Sequence, residues 1–348
     1  MLSRVTNRPK GWARAGSIVA LLILCVVGAL FGFGLEAHAA DVSFLAPHGP
    51  IAAAERQHFF HVILLMMIVI LPVLIGVPLL AWRYRYRNTS ARYAPNWDHS
   101  RWISAVIWGV PVAIVIVLAT WLVQNTTKLD PFRPLETAQA SLAEQPLKVD
   151  VIGYDWKWLF VYPQLHIASL GQLVFPEHRA VSMRLTSATV MQSFYIPALA
   201  SQIYAMAAME TKLHLIATTT GQFLGENTLY DGMGFQHEKF VARATTPQGF
   251  HDWVAGVSAN GIPLTAKVYG VIRARNTVAK IHATLKAKGM PPGALFFKDV
   301  QPALFRNVVM SFRGGPSTSR SIVGIGSLRA GTGGLTTSRR EPHTTGMD

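Results

Sequence analysis

The sequence predicts a membrane protein: a two-helix transmembrane hairpin followed by a small all-β domain, a sandwich or a barrel. Three observations carry that expectation. Residues 62–82 and 102–123 are two apolar runs without a charged residue, each long enough to cross ~30 Å of hydrocarbon. After Asn125 the composition becomes that of a soluble domain, with short stretches alternating polar and apolar residues at 148–151, 180–185, 211–217 and 239–243 and turn-rich gaps between them. Over the 348 residues half are hydrophobic and only 14% charged, which favours a membrane protein over a soluble globule.

Taken in order, the chain opens with Arg4, Arg8, Lys10 and Arg14 before an apolar run over 18–33 and the small-residue triplet Ala37-His38-Ala39. This is the layout of a secretory signal, expected to be cleaved after Ala39, so residues 1–39 are read as a signal peptide. The alternative is an uncleaved anchor, because the run is long for a signal. Residues 40–61 are then an exported N-terminal segment, and 62–82 the first transmembrane helix. Pro72 and Pro78 would break a soluble helix, but packing neighbours accommodate them in a membrane. The loop 83–101 holds Arg83, Arg85, Arg87, Arg92 and Arg101 against Asp98 alone. Short cytoplasmic loops carry such an excess, so the loop is placed inside and both mature termini outside. The second helix is 102–123, the exported domain 124–260, and a short helix is expected near 247–257.

The formal charge of +14 does not point to nucleic acid. Between Val271 and Asp348 there are twelve Lys or Arg against Asp299, Glu341 and Asp348, and most of the other cations flank the apolar runs. That distribution is explained by membrane topology and a basic tail. From about Phe312 the chain is rich in Gly, Ser, Thr and Arg with few large apolar groups; residues 312–348 are read as a disordered basic tail. Cys25 is the single cysteine, which excludes an internal disulfide and a Cys-based zinc or copper site.

The most informative stretch is 191–240. It reads Met191-Gln192-Ser193-Phe194-Tyr195-Ile196-Pro197, then Gln202-Ile203-Tyr204-Ala205-Met206, then a loop from Gly225 through Asn227, Leu229, Asp231, Gly232 and Gly234 to Phe235. This frame resembles subunit II of the haem–copper respiratory oxidases. In the members that oxidise cytochrome c, a His precedes Ser-Phe, and the later loop supplies two Cys, a Glu, a His and a Met to a dinuclear copper centre. Matched position by position, Gln192 stands at the first His, Asn227 and Asp231 at the two Cys, Leu229 at the Glu, Phe235 at the second His and Glu238 at the Met. Thiolates hold soft copper in such a site, and none is available here. A kept frame with its ligands replaced is the pattern of the quinol-oxidising branch, the cytochrome bo-type ubiquinol oxidases.

Further segments carry the same resemblance. Tyr93-Ala94-Pro95-Asn96-Trp97-Asp98-His99-Ser100 and Ala105-Val106-Ile107-Trp108-Gly109-Val110-Pro111 are similar to the cytoplasmic hairpin of bo-type subunit II. Many members have a Glu near the start of the second helix, at the mouth of a proton-uptake path; Ser104 matches that position and cannot supply a proton near neutral pH. In the run Tyr154-Asp155-Trp156-Lys157-Trp158-Leu159-Phe160-Val161-Tyr162, cytochrome c-oxidising relatives have an aromatic cluster that feeds electrons to copper. Here Trp156 and Trp158 are expected to pack against the partner subunit or the membrane surface. Residues 302–309 resemble the C-terminal region that packs on the domain, so 261–311 is read as an extension lying against it. The resemblance spans roughly residues 45 to 310 and implies a cupredoxin-like Greek-key sandwich.

Metal and acid–base chemistry have weaker footholds in the sequence. His58 and His61 are three apart, a spacing that places both on one helix face, but no third ligand completes a site and an interfacial or solvated role is expected. His237 lies close to the loop but is offset from the ligand position. Glu226, Asp231 and Glu238 are read as carboxylates on a solvated loop rather than an acid/base cluster. Gly232-Met233-Gly234 lacks the Lys and helix of a phosphate loop and suits a tight turn.

The resemblance implies subunit II of a proton-pumping ubiquinol oxidase in a bacterial inner membrane. It implies no catalytic, cofactor or metal residue in this chain, with haems and copper in subunit I, and subunits I, III and IV, the bilayer and ubiquinol as partners. A cytochrome c oxidase subunit II is nearly excluded for want of a second cysteine. The reading from a different class is a membrane-tethered β-sandwich acting as a binding or assembly module outside any oxidase. Ser104 keeps open a divergent oxidase with altered proton uptake.

Overall fold

Two long helices come first. In a computed structural model that describes residues 45–86, 88, 96–135, 145–287 and 289–314, α1 runs Pro50–Arg83 and α2 Arg101–Lys128. At 1.5 Å per residue these are about 50 and 40 Å long, more than a bilayer core requires. Pro72 and Pro78 lie inside α1 and Pro111 inside α2, and the apolar side chains along both are largely exposed, as lipid-facing positions are. The signal segment with Cys25, Arg87 and most of the loop after it, and the tail past 314 fall outside the described residues.

Helix α1 begins a full three turns before the predicted 62. Pro50 at its first position fits the donor-free start of a helix. The added turns dock on the β-domain: His48 N–H donates to the Ala198 carbonyl at 2.8 Å, and Thr218 N–H donates to the His48 carbonyl at 2.8 Å. A Cβ at Gly49 would stand 2.6 Å from the Ile216 carbonyl oxygen, so only glycine permits this approach. Ser201 donates to the Glu55 carboxylate in the same contact. His58 and His61 do share a face, and that face packs on Trp121 of α2 at ring distances of 6.5 and 5.7 Å, with Asn125 Nδ2 3.2 Å from His58 Nδ1.

The β-domain is two sheets. The strands are β1 Leu147–Tyr154, β2 Lys157–Tyr162, β3 Ile167–Leu170, β4 Gln172–Pro176, β5 Val181–Ser187, β6 Gln192–Ile196, β7 Ala200–Ala205, β8 Thr211–Leu215, β9 Gly221–Asn227, β10 Lys239–Thr245, β11 Ile262–Pro263 and β12 Leu295–Lys298. One sheet has the order β11-β12-β3-β2-β1-β5-β8 and the other β4-β10-β9-β6-β7. Most neighbours are antiparallel, whereas β1–β5, β4–β10 and β11–β12 are parallel. The chain crosses repeatedly between the sheets, at β3–β4, β4–β5, β5–β6, β7–β8, β8–β9 and β10–β11, which makes this a sandwich and excludes an up-and-down barrel.

Helix α3 (Pro247–Asn260) follows as the sequence predicts, its Thr246 hydroxyl capping Gly249 N–H at 3.1 Å. Helices α4 (Ala266–Arg273), α5 (Val278–Leu285) and α6 (Leu304–Ser311) complete the chain. The first core fills the space between the sheets around Val149, Trp158, Phe160, Phe194, Leu213 and Phe240. A second core lies on the other face of the larger sheet, where Tyr154, Leu159 and Val161 meet Tyr269, Ile281, Phe305 and Val308. The segment after residue 260 thus does more than lie against the sandwich: β12 pairs with β3 as a strand of the sheet, and the helices bury its outer face.

Candidate functional site

The six positions matched to copper ligands converge at one end of the sandwich, where β6 starts, β9 ends and β10 begins. The pairing Phe194↔Asn227 and Tyr195↔Glu226 sets β6 beside β9, so Gln192 and Asn227 come close although 35 residues separate them in sequence (192 to 227). A 3₁₀ turn, Phe235–His237, then delivers Glu238 back to the same place.

Four of the six build a hydrogen-bonded cluster. Asn227 is buried; its Oδ1 accepts from Ser193 N–H at 2.8 Å and Leu229 N–H at 3.0 Å, while its Nδ2 donates to Glu238 Oε2 at 2.8 Å. Gln192, fully buried, donates from Nε2 to the Tyr154 carbonyl at 2.8 Å and to Asp231 Oδ2 at 3.3 Å. Thr228 donates to Ser193 Oγ at 2.8 Å and ties the same two strands. Leu229 and Phe235 add no polar side-chain atom; Phe235 packs on Tyr230 with ring centroids 5.9 Å apart.

Two glycines and one tryptophan shape the rim. Gly232 has φ +119°, a conformation that favours glycine. A Cβ on Gly234 would fall 2.0 Å from Cδ2 of Trp156, so the indole lies directly on the loop backbone. Trp156 itself has φ 64° and stacks under Arg275, whose guanidinium is 5.0 Å from the ring centroid. Beside it Lys157 is buried, its ammonium donating to the carbonyls of Asp155, Ala274 and Asn276 at 2.8, 3.1 and 2.9 Å. Burial pulls this lysine down to about 8. Glu238 moves the other way: burial and the neighbouring Asp231 carboxyl push it up to about 10.

Two expectations are corrected here. Trp158 does not face a partner or a membrane: it is 1% exposed and packs between the sheets on Phe194 and Phe240 at 5.2 and 6.3 Å. The larger sheet is covered on both faces, so either orientation of a β2 side chain is interior. The loop carboxylates are not all solvated either, since Glu238 is 1% exposed and Asp231 Oδ1 is buried; Glu226 alone fits that description, half-buried and 3.9 Å from Lys239.

As a donor set for copper the cluster does not fit. It offers carboxamide and carboxyl oxygens and nitrogens and no thiolate, thioether or imidazole, and its amide N–H groups point inward. His237 is exposed beside it, 3.5 Å from Gln236. Among the described residues there is no group of three or more His, Cys, Asp or Glu able to hold a metal ion.

No family model matches the chain. Individual relatives do. It is 39% identical over 274 residues to the cytochrome bo(3) ubiquinol oxidase subunit 2 of Pseudomonas aeruginosa, covering 78% of this chain and 77% of that one. The chain belongs to the ubiquinol oxidase subunit 2 family. Another member, from Acetobacter aceti, is 37% identical over 283 residues, with 81% of this chain and 86% of the relative covered. The quinol oxidase subunit 2 of Bacillus cereus is 32% identical over 232 residues, 66% and 78% of the two chains. Among solved structures, the periplasmic domain of subunit II of cytochrome oxidase from Bradyrhizobium japonicum matches 33% of this chain and 95% of its own at 21% identity and a TM-score of 0.31; the family assignment does not draw on it.

For this subunit 2, the sequence signal that located the site was the loop frame rather than its charges. Lys157 and Arg275, which brace the loop from behind, were not singled out. The signal for Lys157 was a lysine set between Trp156 and Trp158 in an aromatic run.

Proposed function

We propose that this chain is subunit II of a proton-pumping ubiquinol oxidase that reduces dioxygen to water, and that it carries no redox centre of its own. The observation that supports this best is the donor set at the site: an amide–carboxyl cluster stands where a soft metal would need thiolates. A quinol oxidase does not require an electron-accepting centre on the exported domain, because quinol reaches the complex through the bilayer. The haems and copper then belong to subunit I, with subunits III and IV completing the complex.

The role left to this subunit is to hold on and to cover. Helices α1 and α2 present apolar surfaces to lipid and to subunit I. The sandwich, fastened to α1 through Gly49, His48 and Glu55, sits over the outer face of subunit I in the inner membrane, with Arg83, Arg85 and Arg87 on the cytoplasmic side. The contact surface around the site consists of Trp156 with the exposed Met191, Tyr230 and Met233, a set of large apolar groups unusual on a free surface. In the first turn of α2, Ser104 stands where a carboxylate would serve proton uptake, so that path runs without help from this chain.

Affinity purification of the full chain in mild detergent tests the proposal. The expected product contains haem and consumes oxygen with ubiquinol but not with reduced cytochrome c. A haem-free chain without a large partner would reject it.

A further inference from the structure

Three buried oxygens in the cluster receive no donor, the amide Oε1 of Gln192 and one oxygen on each of two carboxyl groups. Glu238 Oε1 and Asp231 Oδ1 are both buried and neither receives a hydrogen bond from any N–H or O–H of the protein. The two carboxyl groups are nevertheless hydrogen-bonding neighbours. Two carboxylates cannot bond each other, since each offers only acceptors. Of the donors nearby, the buried indole N–H of Trp156 lies against Gly232 but makes no hydrogen bond to either carboxyl, and the others are committed. Asn227 Nδ2 serves the far oxygen, Glu238 Oε2, and its amide cannot flip because two backbone N–H groups fix its Oδ1. Gln192 Nε2 serves Asp231 Oδ2 and a carbonyl. Lys157 Nζ is spent on three carbonyls.

We propose that Asp231 and Glu238 hold one proton between them, a carboxyl–carboxylate hydrogen bond that closes the loop joining β9 to β10. One proton converts two unmatched acceptors into a donor–acceptor pair and leaves one negative charge for Asn227, Gln192 and the nearby Lys157 to stabilise. A metal cation is the less suitable occupant, because the fixed amides turn N–H groups and not oxygens toward the carboxyls. Two like charges in contact disfavour each other, most strongly where burial removes solvent, so the proton resides on Glu238, the buried partner, rather than on the half-buried Asp231.

The other charged groups around the pair do not replace the proton. Asp155 and Arg275 engage each other at 4.0 Å, with Arg275 over Trp156. Glu226 and Lys239 form their own pair at the rim, and His237 is exposed. Lys157 is the cation whose charge reaches Glu238, and it lowers the proton affinity only in part. Glu238 binds its proton far more tightly folded than unfolded, moving from 4.5 to about 10. The stability linked to it is fully present below pH 4.5 and declines as pH rises toward about 10. At neutral pH the pair is closed; alkaline pH opens it.

Infrared spectroscopy of the full-length chain in detergent near neutral pH tests this, by difference spectra of wild type against Glu238→Gln and against Asp231→Asn. The expected result is a protonated-carboxyl C=O band, one carboxyl in size, present in wild type and missing in both variants. No such band in wild type overturns the proposal. So does a band that survives unchanged in Asp231→Asn, which would mean that Glu238 is neutral by burial alone. Should a variant fail to fold, the wild-type band decides: a C=O frequency lowered to that of a strongly hydrogen-bonded carboxyl supports the shared proton, and the frequency of an isolated buried carboxyl contradicts it.

Discussion

Asp150 and Glu238 are each 1% exposed and lie in the same sandwich, yet their surroundings treat the buried carboxyl in opposite ways. Asp150, on the outer face of β1, receives Arg184 side-on: Nε and Nη2 each donate at 2.7 Å to one carboxylate oxygen. The guanidinium lies over the Phe305 ring at 4.8 Å, which holds the fork in place. Burial raises the Asp150 carboxyl above its ordinary value, and the Arg184 guanidinium opposes that rise. Glu238 has no guanidinium. It has an amide donor and a second carboxyl, and burial drives it to about 10. The contrast teaches that in this domain a buried carboxyl keeps its charge where a bidentate cation is supplied, and keeps a proton where one is not.

Breaking the Asp150 side should have the larger effect. Arg184→Met leaves a buried carboxylate without its cation, a loss of roughly 3 kcal/mol, the low end of the range for such pairs because Arg184 is itself partly exposed. The sign with pH is diagnostic: without Arg184 the folded state favours protonated Asp150, so the deficit shrinks as pH falls. Thermal unfolding of the detergent-solubilised chain at neutral and at mildly acidic pH measures both. A deficit independent of pH would show that the pair acts through packing on Phe305 rather than through charge.

Breaking the Glu238 side through its neutral donor should cost less. Asn227→Ala strips Glu238 Oε2 of its donor and leaves two backbone N–H groups, of Ser193 and Leu229, without their acceptor; about 2 kcal/mol is expected. The same unfolding measurement checks it, and a loss larger than that of Arg184→Met would invert the ordering.

How much of this was legible in the sequence differs between the parts for physical reasons. The helices announced themselves, because an uncharged apolar run of membrane length is stable in few settings besides a bilayer. The start of α1 at Pro50 did not, since Glu55 and His58 read as solvated chain until Ser201 meets the first and Asn125 and Trp121 meet the second. The alternating strands β5, β8 and β10 were readable because one face is polar. Strand β2 was not, because buried on both faces it loses its period, and the indole of Trp158 suggests a surface that it never reaches. At the site, the loop frame placed Gln192, Asn227, Asp231 and Glu238 together through resemblance. Their burial was hidden, for a charged side chain on a loop gives no sign of the Asn or Lys that folds over it. Strand β12, four residues long and far from its partner β3 in sequence, carried no pattern strong enough to be separated from the extension around it.

The central claim is that this subunit belongs to an oxidase while holding no redox centre itself. Metal analysis and optical redox titration of the chain, separated from its partner subunits and re-purified, test that most directly. The account predicts no stoichiometric copper and no band that changes between oxidised and reduced samples. One or two copper ions per chain with a redox-sensitive absorption would contradict it.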